Sequence, residues 1–249
     1  MKTLFEEDGG VTLIHGDYPE MLERSDSDLW IPEKVGCVVF DPPWDDAELA
    51  GVWIPKTKAT LVFTDPRRMG RSIARFGPPA WVFTWDTMNQ WTTGPNRPIQ
   101  QTKQCLFYGD LAEYRRDEAL RGEAPPERDN PTTKQTPLDG RRLTDLWRES
   151  LRWLHNPDAG LHSGERGGVQ GDRKGADVLR HAKPIGWMTC LIANCSQGLV
   201  FDPFCGTGAS LRAAKDLGRP AVGIDINPDA CEYALQLLAQ ESLLVGGVA

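Results

Sequence analysis

The sequence has no apolar run approaching the ~20 residues that cross a bilayer, so no helical membrane anchor is expected. It has no basic segment followed by an apolar one at its start. Glu6, Glu7 and Asp8 stand there instead, so no secretory signal is expected. Its 6 cysteines are scattered, with no Cys-x-x-Cys, and Cys190 and Cys195 are the nearest pair. That pattern fits neither a disulfide framework nor a zinc site. Buried thiols in a reducing cytosol, and a chain without a structural metal, are the expectation. Positive charge is not in excess either: the formal net charge is -7, which argues against a uniformly basic nucleic-acid binder.

What is present is ordinary for a globular protein of 249 residues, with 40% hydrophobic and 25% charged positions. That length buries a substantial core. Charge is unevenly spread. Residues 128–183 hold 11 Lys and Arg against 8 Asp and Glu, a mildly basic segment on an acidic body. Such a segment suits one nucleic-acid-facing surface, although mixed-charge stretches are more often simply solvated.

Short β-branched runs bounded by turn residues predict seven strands, at 11–15, 37–40, 59–63, 81–84, 104–108, 199–201 and 221–224. Helices are predicted at 19–24, 67–75, 143–154, 185–193, 209–217 and 228–240. The 143–154 segment places Leu143, Leu146, Trp147, Leu151 and Leu154 on one face, and Asn227-Pro228 reads as a cap with proline at the first helical position. Alternating strands and helices imply an α/β sheet covered on both faces. Two stretches interrupt the alternation. Residues 112–139 are rich in Arg, Glu and Pro, and residues 156–177 are glycine-rich and polar. Both are poor core material and read as functional or disordered loops.

Asp41-Pro42-Pro43-Trp44 follows the strand at 37–40. Ligands of open parallel sheets bind outside the carboxyl ends of strands. The exocyclic amino group of a base is a poor nucleophile, because its lone pair is delocalised into the ring. The Asp41 carboxylate and the Pro42 carbonyl together would accept both of its N–H bonds and favour a pyramidal nitrogen. Consecutive prolines stiffen the turn and remove competing donors. Trp44 offers a flat face to an extruded base. The plainer alternative is a proline turn capping a strand, with Trp44 in the core.

Asp202-Pro203-Phe204-Cys205-Gly206-Thr207-Gly208 follows the strand at 199–201 and opens the next helix. Gly206 and Gly208 permit a tight turn and close approach of a ligand. Asp225 ends the following strand, at about the spacing where an acidic residue meets a ribose in dinucleotide folds. The phosphate-cradling Gly-x-Gly-x-x-Gly is absent, because position 211 is Leu211, and so is a Walker lysine. A nucleoside ligand without a pyrophosphate fits best. A third element, His181-Ala182-Lys183-Pro184, precedes the helix at 185–193.

Taken in this order, the elements resemble the β class of amino-group DNA methyltransferases, which use S-adenosylmethionine. In that class the Asp-Pro-Pro-aromatic half comes first, then a recognition segment, a Lys-Pro element and the Phe-x-Gly-x-Gly loop. His15-Gly16-Asp17 is similar to the Gly-Asp that precedes the catalytic strand in the family. The likeness covers about residues 10–108 and 180–240 and leaves 112–177 unassigned. It departs at Trp44, where tyrosine is common, and in a short recognition region.

The resemblance implies a Rossmann-like, seven-stranded methyltransferase sheet with a circularly permuted motif order, the strand at 104–108 being the reversed one. Residues 1–110 would form the catalytic half, 111–180 an inserted recognition region, and 181–249 the cofactor-binding half of the same domain. Asp41, Pro42, Pro43 and Trp44 would hold and stack the target base. Phe204, Gly206, Thr207 and Gly208 would line S-adenosylmethionine. Asp202 would lie near its amino-acid end, Asp225 at its ribose, Asp17 at its adenine, and Lys183 and Pro184 at its methionine end. The expected partner is duplex DNA with a flipped nucleotide. From the residues alone, Trp85, Trp91 and Arg97 flank a polar run at 92–98, and Arg141, Arg142, Arg148, Arg173, Lys174 and Arg180 are candidates for phosphate contact, with plain surface solvation the alternative for each. A cytoplasmic location and a homodimer are compatible with this reading.

Adenine N6 is the expected target, since Asp at position 41 is commoner in adenine enzymes of the family. Cytosine N4, an RNA adenine and a non-catalytic DNA-binding regulator stay open. A glutamine-amide protein methyltransferase fits less well, because that family carries its cofactor loop first and Asn at the leading position. No cysteine stands in the Pro-Cys setting of a cytosine-C5 mechanism.

Overall fold

The computed structural model describes residues 2–6, 10–18, 20, 35–42, 57–91, 100–109, 146–148, 182–195 and 198–240. In chain order they form β1 (Lys2–Glu6), β2 (Val11–His15), β3 (Val35–Phe40), β4 (Ala59–Thr64), α1 (Pro66–Phe76), β5 (Trp81–Trp91), β6 (Gln100–Gly109) and β7 (Leu146–Arg148). Then come α2 (Ile185–Ala193), β8 (Leu199–Asp202), α3 (Ala209–Asp216), β9 (Ala221–Asp225) and α4 (Pro228–Leu238). None of the described helices is long and apolar enough to cross a membrane.

All nine described strands join one sheet in the order β1-β2-β9-β8-β3-β4-β6-β5-β7. Strands β2, β9, β8, β3 and β4 run parallel. As expected of the strand at 104–108, β6 is reversed, pairing antiparallel with both β4 and β5. The central strands are near-continuous apolar runs, such as Gly36-Cys37-Val38-Val39-Phe40, because helices cover both faces of a mostly parallel sheet. On one face Leu13, Val39, Leu61, Phe63 and Phe107 pack with α2, α3 and α4. On the other, Val38, Phe40, Val62, Leu106, Phe201 and Ile224 meet Met69, Ile73 and Phe76 of α1.

The sheet departs from expectation in three places. Its described strands number nine rather than seven, because Lys2–Glu6 adds an antiparallel edge to β2 and Leu146–Arg148 adds a parallel edge to β5. The latter overturns the helix predicted at 143–154. Thr84, Trp85 and Asp86 offer a row of backbone donors and acceptors to Leu146, Trp147 and Arg148. Satisfying that edge outweighs a local helical period. Strands β5 and β6 also run further than predicted, since each pairs along the other to Trp91 and Gln100. The predicted helix at 19–24 and the stretches 112–139 and 156–177 lie outside the described residues.

Two helix starts follow directly from sequence. The Asp65 carboxylate accepts the N–H groups of Arg67 (2.8 Å) and Arg68 (3.2 Å) at the head of α1. Asn227 does the same for Asp229 (2.9 Å) at the head of α4, with Pro228 following it.

Strands β8 and β3 are neighbours, yet the chain leaves them in opposite directions, to β9 on one side and to β4 on the other. Their carboxyl ends therefore flank a crevice where a ligand enters such a sheet.

Candidate active site at the sheet crevice

The loop after β8 is shaped by its own first residue. Asp202 is 4% exposed. Its Oδ1 accepts the N–H of Phe204 at 3.1 Å, and its Oδ2 accepts the Ser210 hydroxyl from the first turn of α3. The backbone then closes a turn through Gly206 (φ 52°) and Gly208 (φ 81°), left-handed conformations that side chains resist. Cys205 donates its N–H to Ile224 of β9 at 2.9 Å, which ties the loop to the next strand. The Phe204 ring stands edge-on to Phe40 and Tyr18, with centroids 5.3 and 5.8 Å away.

Asp225 closes the far side. One carboxylate oxygen accepts the Gly206 N–H at 2.7 Å and the other the Asn227 N–H at 2.8 Å. Its backbone carbonyl takes the Gly16 N–H at 2.9 Å, which brings Asp17 to the same edge. Beside it Ile226 is 60% exposed, an apolar side chain left at the rim. His15 Nε2 lies 3.0 Å from the Ile226 carbonyl. Sequence reasoning missed Ile226; the signal was an apolar residue directly after the acidic end of a parallel strand.

The carboxylates of this edge influence one another. Burial pushes Asp202 up to about 7, opposed by Ser210 and the Phe204 N–H and reinforced by the charges of Asp41 and Asp225. Burial also raises Asp225. Between the ordinary carboxyl range and about 7 the folded chain holds a proton at Asp202 that the unfolded chain releases. Asp202 therefore makes the protein more stable as pH falls from about 7, and less stable once the carboxyl ionises. The slope approaches ~1.4 kcal/mol per pH unit. Thermal unfolding between pH 5 and 8 should show this decline with rising pH. Asp202→Asn keeps the acceptor for Phe204 and should flatten it; an unchanged profile would remove Asp202 as the source.

Asp41 ends β3 on the opposite side of the crevice, half-buried, with Pro42 after it. Pro43 and Trp44 lie outside the described residues. Lys183 Nζ contacts Asp41 Oδ2 directly, and the same ammonium stands 5.2 Å over the Phe63 ring. Pro184 is the residue from which α2 begins, and its carbonyl accepts the Met188 N–H at 3.0 Å. A second lysine, Lys103 of β6, also belongs to this side. Burial lowers its ammonium, as does Lys183, while Asp41 and Asp65 counteract. Lys103 lies in the polar run at 100–104, just ahead of the strand predicted at 104–108, and nothing in its local sequence marked it.

The structure thus brings Asp41, Lys183 and Pro184 to one side of the crevice. On the other it gathers Asp202, Phe204, Gly206, Thr207, Gly208, Asp225 and Asp17. Trp85 does not join a nucleic-acid surface as expected. It is 2% exposed and packs at 5.8 Å from Trp187, because its position on β5 faces the apolar layer under α2. Arg97, Arg141, Arg142, Arg173, Lys174 and Arg180 lie outside the described residues, whereas Trp91 and Arg148 are described as strand backbone.

A family model described as DNA methylase matches residues 7–236. Among solved structures, the complex of M1.HpyAVI with SAM superposes with a TM-score of 0.55 at 16% identity, covering 92% of this chain and 100% of that one. PvuII DNA methyltransferase, cytosine-N4-specific, gives 0.53 at 14% identity over 94% of this chain and 88% of that one. TTHA0409 of Thermus thermophilus, complexed with S-adenosyl-L-methionine, gives 0.51 at 17% identity over 93% and 94%. At these identities the likeness is one of fold: a mixed α/β chain with a large, mostly parallel sheet. No curated protein sequence matches the chain.

Proposed function

Because this chain belongs to the DNA methylase family, the N6/N4 amino-methyltransferases, we propose that it methylates an exocyclic amino group of a DNA base from S-adenosyl-L-methionine, with adenine N6 as the target. The observation that carries this reading is the meeting of Asp41 and the Asp202–Gly208 loop across adjacent strands β3 and β8.

The residues present fit that cofactor. Two carboxylates, Asp202 and Asp225, share the cofactor side of the crevice, and burial raises both. A ligand bearing a sulfonium and an ammonium relieves this crowding of negative charge. A carbon built on Gly206 would meet nothing within 4 Å, so the loop leaves room for close approach. Asp225 would face the ribose, Ile226 would lie under the adenine, and Phe204, Thr207 and Gly208 would line the remainder. When bound, the cofactor supplies an already activated methyl group.

The chain's own contribution is alignment. Asp41 and the Pro42 carbonyl would accept the two N–H bonds of the target amino group and turn its lone pair toward the methyl. Holding both reactants in line removes most of the entropic barrier. Trp44 would stack on the flipped base, whose extrusion costs a few kcal/mol. Residues 111–180 would read the duplex. The helix α1 adds a candidate phosphate-facing surface, since it carries Arg67, Arg68, Arg71 and Arg75 with no acidic residue in its sequence.

The test is transfer of labelled methyl to mixed-sequence duplex DNA, followed by nucleoside analysis. N6-methyladenine is the expected product. N4-methylcytosine would keep the mechanism and overturn the base. Product on RNA and none on DNA would overturn the substrate.

A further inference from the structure

We propose that Lys183 is a positioning residue that acts through Asp41, fixing the carboxylate for the incoming amino group, rather than a ligand of the cofactor's methionine end. This rests on the methyl-transfer reading above.

The contact is between Lys183 Nζ and Asp41 Oδ2, residues 142 apart in the chain. Lys183 is the more enclosed partner, with its side chain 14% exposed against 38% for Asp41. Its ammonium is also held over the Phe63 ring at 5.2 Å, a favourable place for a cation. Its backbone is anchored as well. Pro184 follows with φ -58°, and the helix that starts there buries Trp187 through Ala193 without interruption. A long, flexible side chain is thus guided from a rigid base across an aromatic face to one carboxylate oxygen.

That geometry has a chemical consequence. A carboxylate on a short side chain rotates freely in water and presents either oxygen. With Oδ2 engaged by Lys183, Oδ1 remains to accept an N–H of the target, and its direction is set. Beside this pair stands Lys103 from β6, which feels the charges of both Lys183 and Asp41 and also those of Asp65 and Arg67 at the head of α1. The acceptor is therefore assembled from both halves of the chain: Asp41 from the first, its holder from the second.

A double-mutant cycle with Lys183→Met and Asp41→Asn tests this, measuring three quantities. They are the cofactor dissociation constant by calorimetry, single-turnover transfer at saturating cofactor, and thermal unfolding. Lys183→Met should slow transfer by about tenfold or more while the dissociation constant moves less than about threefold. In the Asp41→Asn background it should slow transfer no further, because the residue it positions is already gone. Lys183→Arg should recover part of the rate. A loss of cofactor affinity beyond about tenfold, with the saturated rate intact, would overturn the proposal in favour of a methionine-end ligand. Rate losses that multiply in the double variant would overturn it too. If the unaltered chain methylates no nucleic acid, the function proposed above fails, and the unfolding cycle still judges the pair. Coupling between positions 41 and 183 supports the contact, and additive stabilities overturn it.

Discussion

Replacing Asp41 by asparagine should reduce methyl transfer by about 10²–10³-fold while leaving cofactor binding nearly intact. The substitution preserves shape and one carbonyl acceptor. It removes the negative charge where positive charge develops, since the amino nitrogen becomes cationic as it takes the methyl. A preorganised charge acts most strongly once bound substrate and cofactor exclude water. Asp41 ends β3, whereas the proposed cofactor contacts come from β8, β9 and the loop between β8 and α3, so the two functions separate by strand. The check is single-turnover transfer alongside calorimetric cofactor titration. Equal losses in rate and affinity would place Asp41 at the cofactor instead.

The second large effect contrasts two glycines two residues apart. A methyl on Gly208 would stand 2.9 Å from the Ala234 side chain and 3.2 Å from its α-carbon, at a φ of 81°. Ala234 is fully buried on α4 and has nowhere to move. Gly208→Ala should therefore cost about 2–4 kcal/mol, combining left-handed strain with overpacking. For a chain of this size that lowers the melting temperature by about 5–15 °C. Gly206→Ala meets nothing within 4 Å and carries only the strain of φ 52°, about 1 kcal/mol. Its methyl instead occupies the space left for the ligand, and cofactor affinity should fall by more than about tenfold. Calorimetry of unfolding and of binding on both variants separates the two roles. A reversed pattern would mean that Gly206, not Gly208, is the packing residue.

The sheet's centre was legible because β3, β4, β8 and β9 are buried on both faces, and apolar runs between turn residues have few other uses. The loop after β8 was legible because its glycines and terminal acids perform backbone tasks that few residue types perform. The edges were not. β7 is three residues whose strand state comes from the partner edge of β5, a long-range pairing that no local period encodes. Trp85 illustrates the same limit in the site. An aromatic beside polar residues reads as exposed, and only the pairing of β5 with β6 reveals that it faces Trp187. Lys183 was visible as a motif, but its partner was not, because a contact across 142 residues depends on where α2 docks.

The placement of β8 and β9 between β2 and β3 bears on how the chain reaches this state. Strands β2 and β3 come early in the sequence, and the pair that fills the gap between them comes last. During synthesis at about 5–20 residues per second, roughly 10–40 s pass while both early strands wait for these hydrogen-bonding partners. An exposed parallel edge is a template for aggregation. A nascent chain halted before residue 199 should therefore bind chaperones and form insoluble material, and release of the last strands should rescue it in a single cooperative step. The crevice forms at that same moment, so the newborn protein acquires its core and its chemistry together.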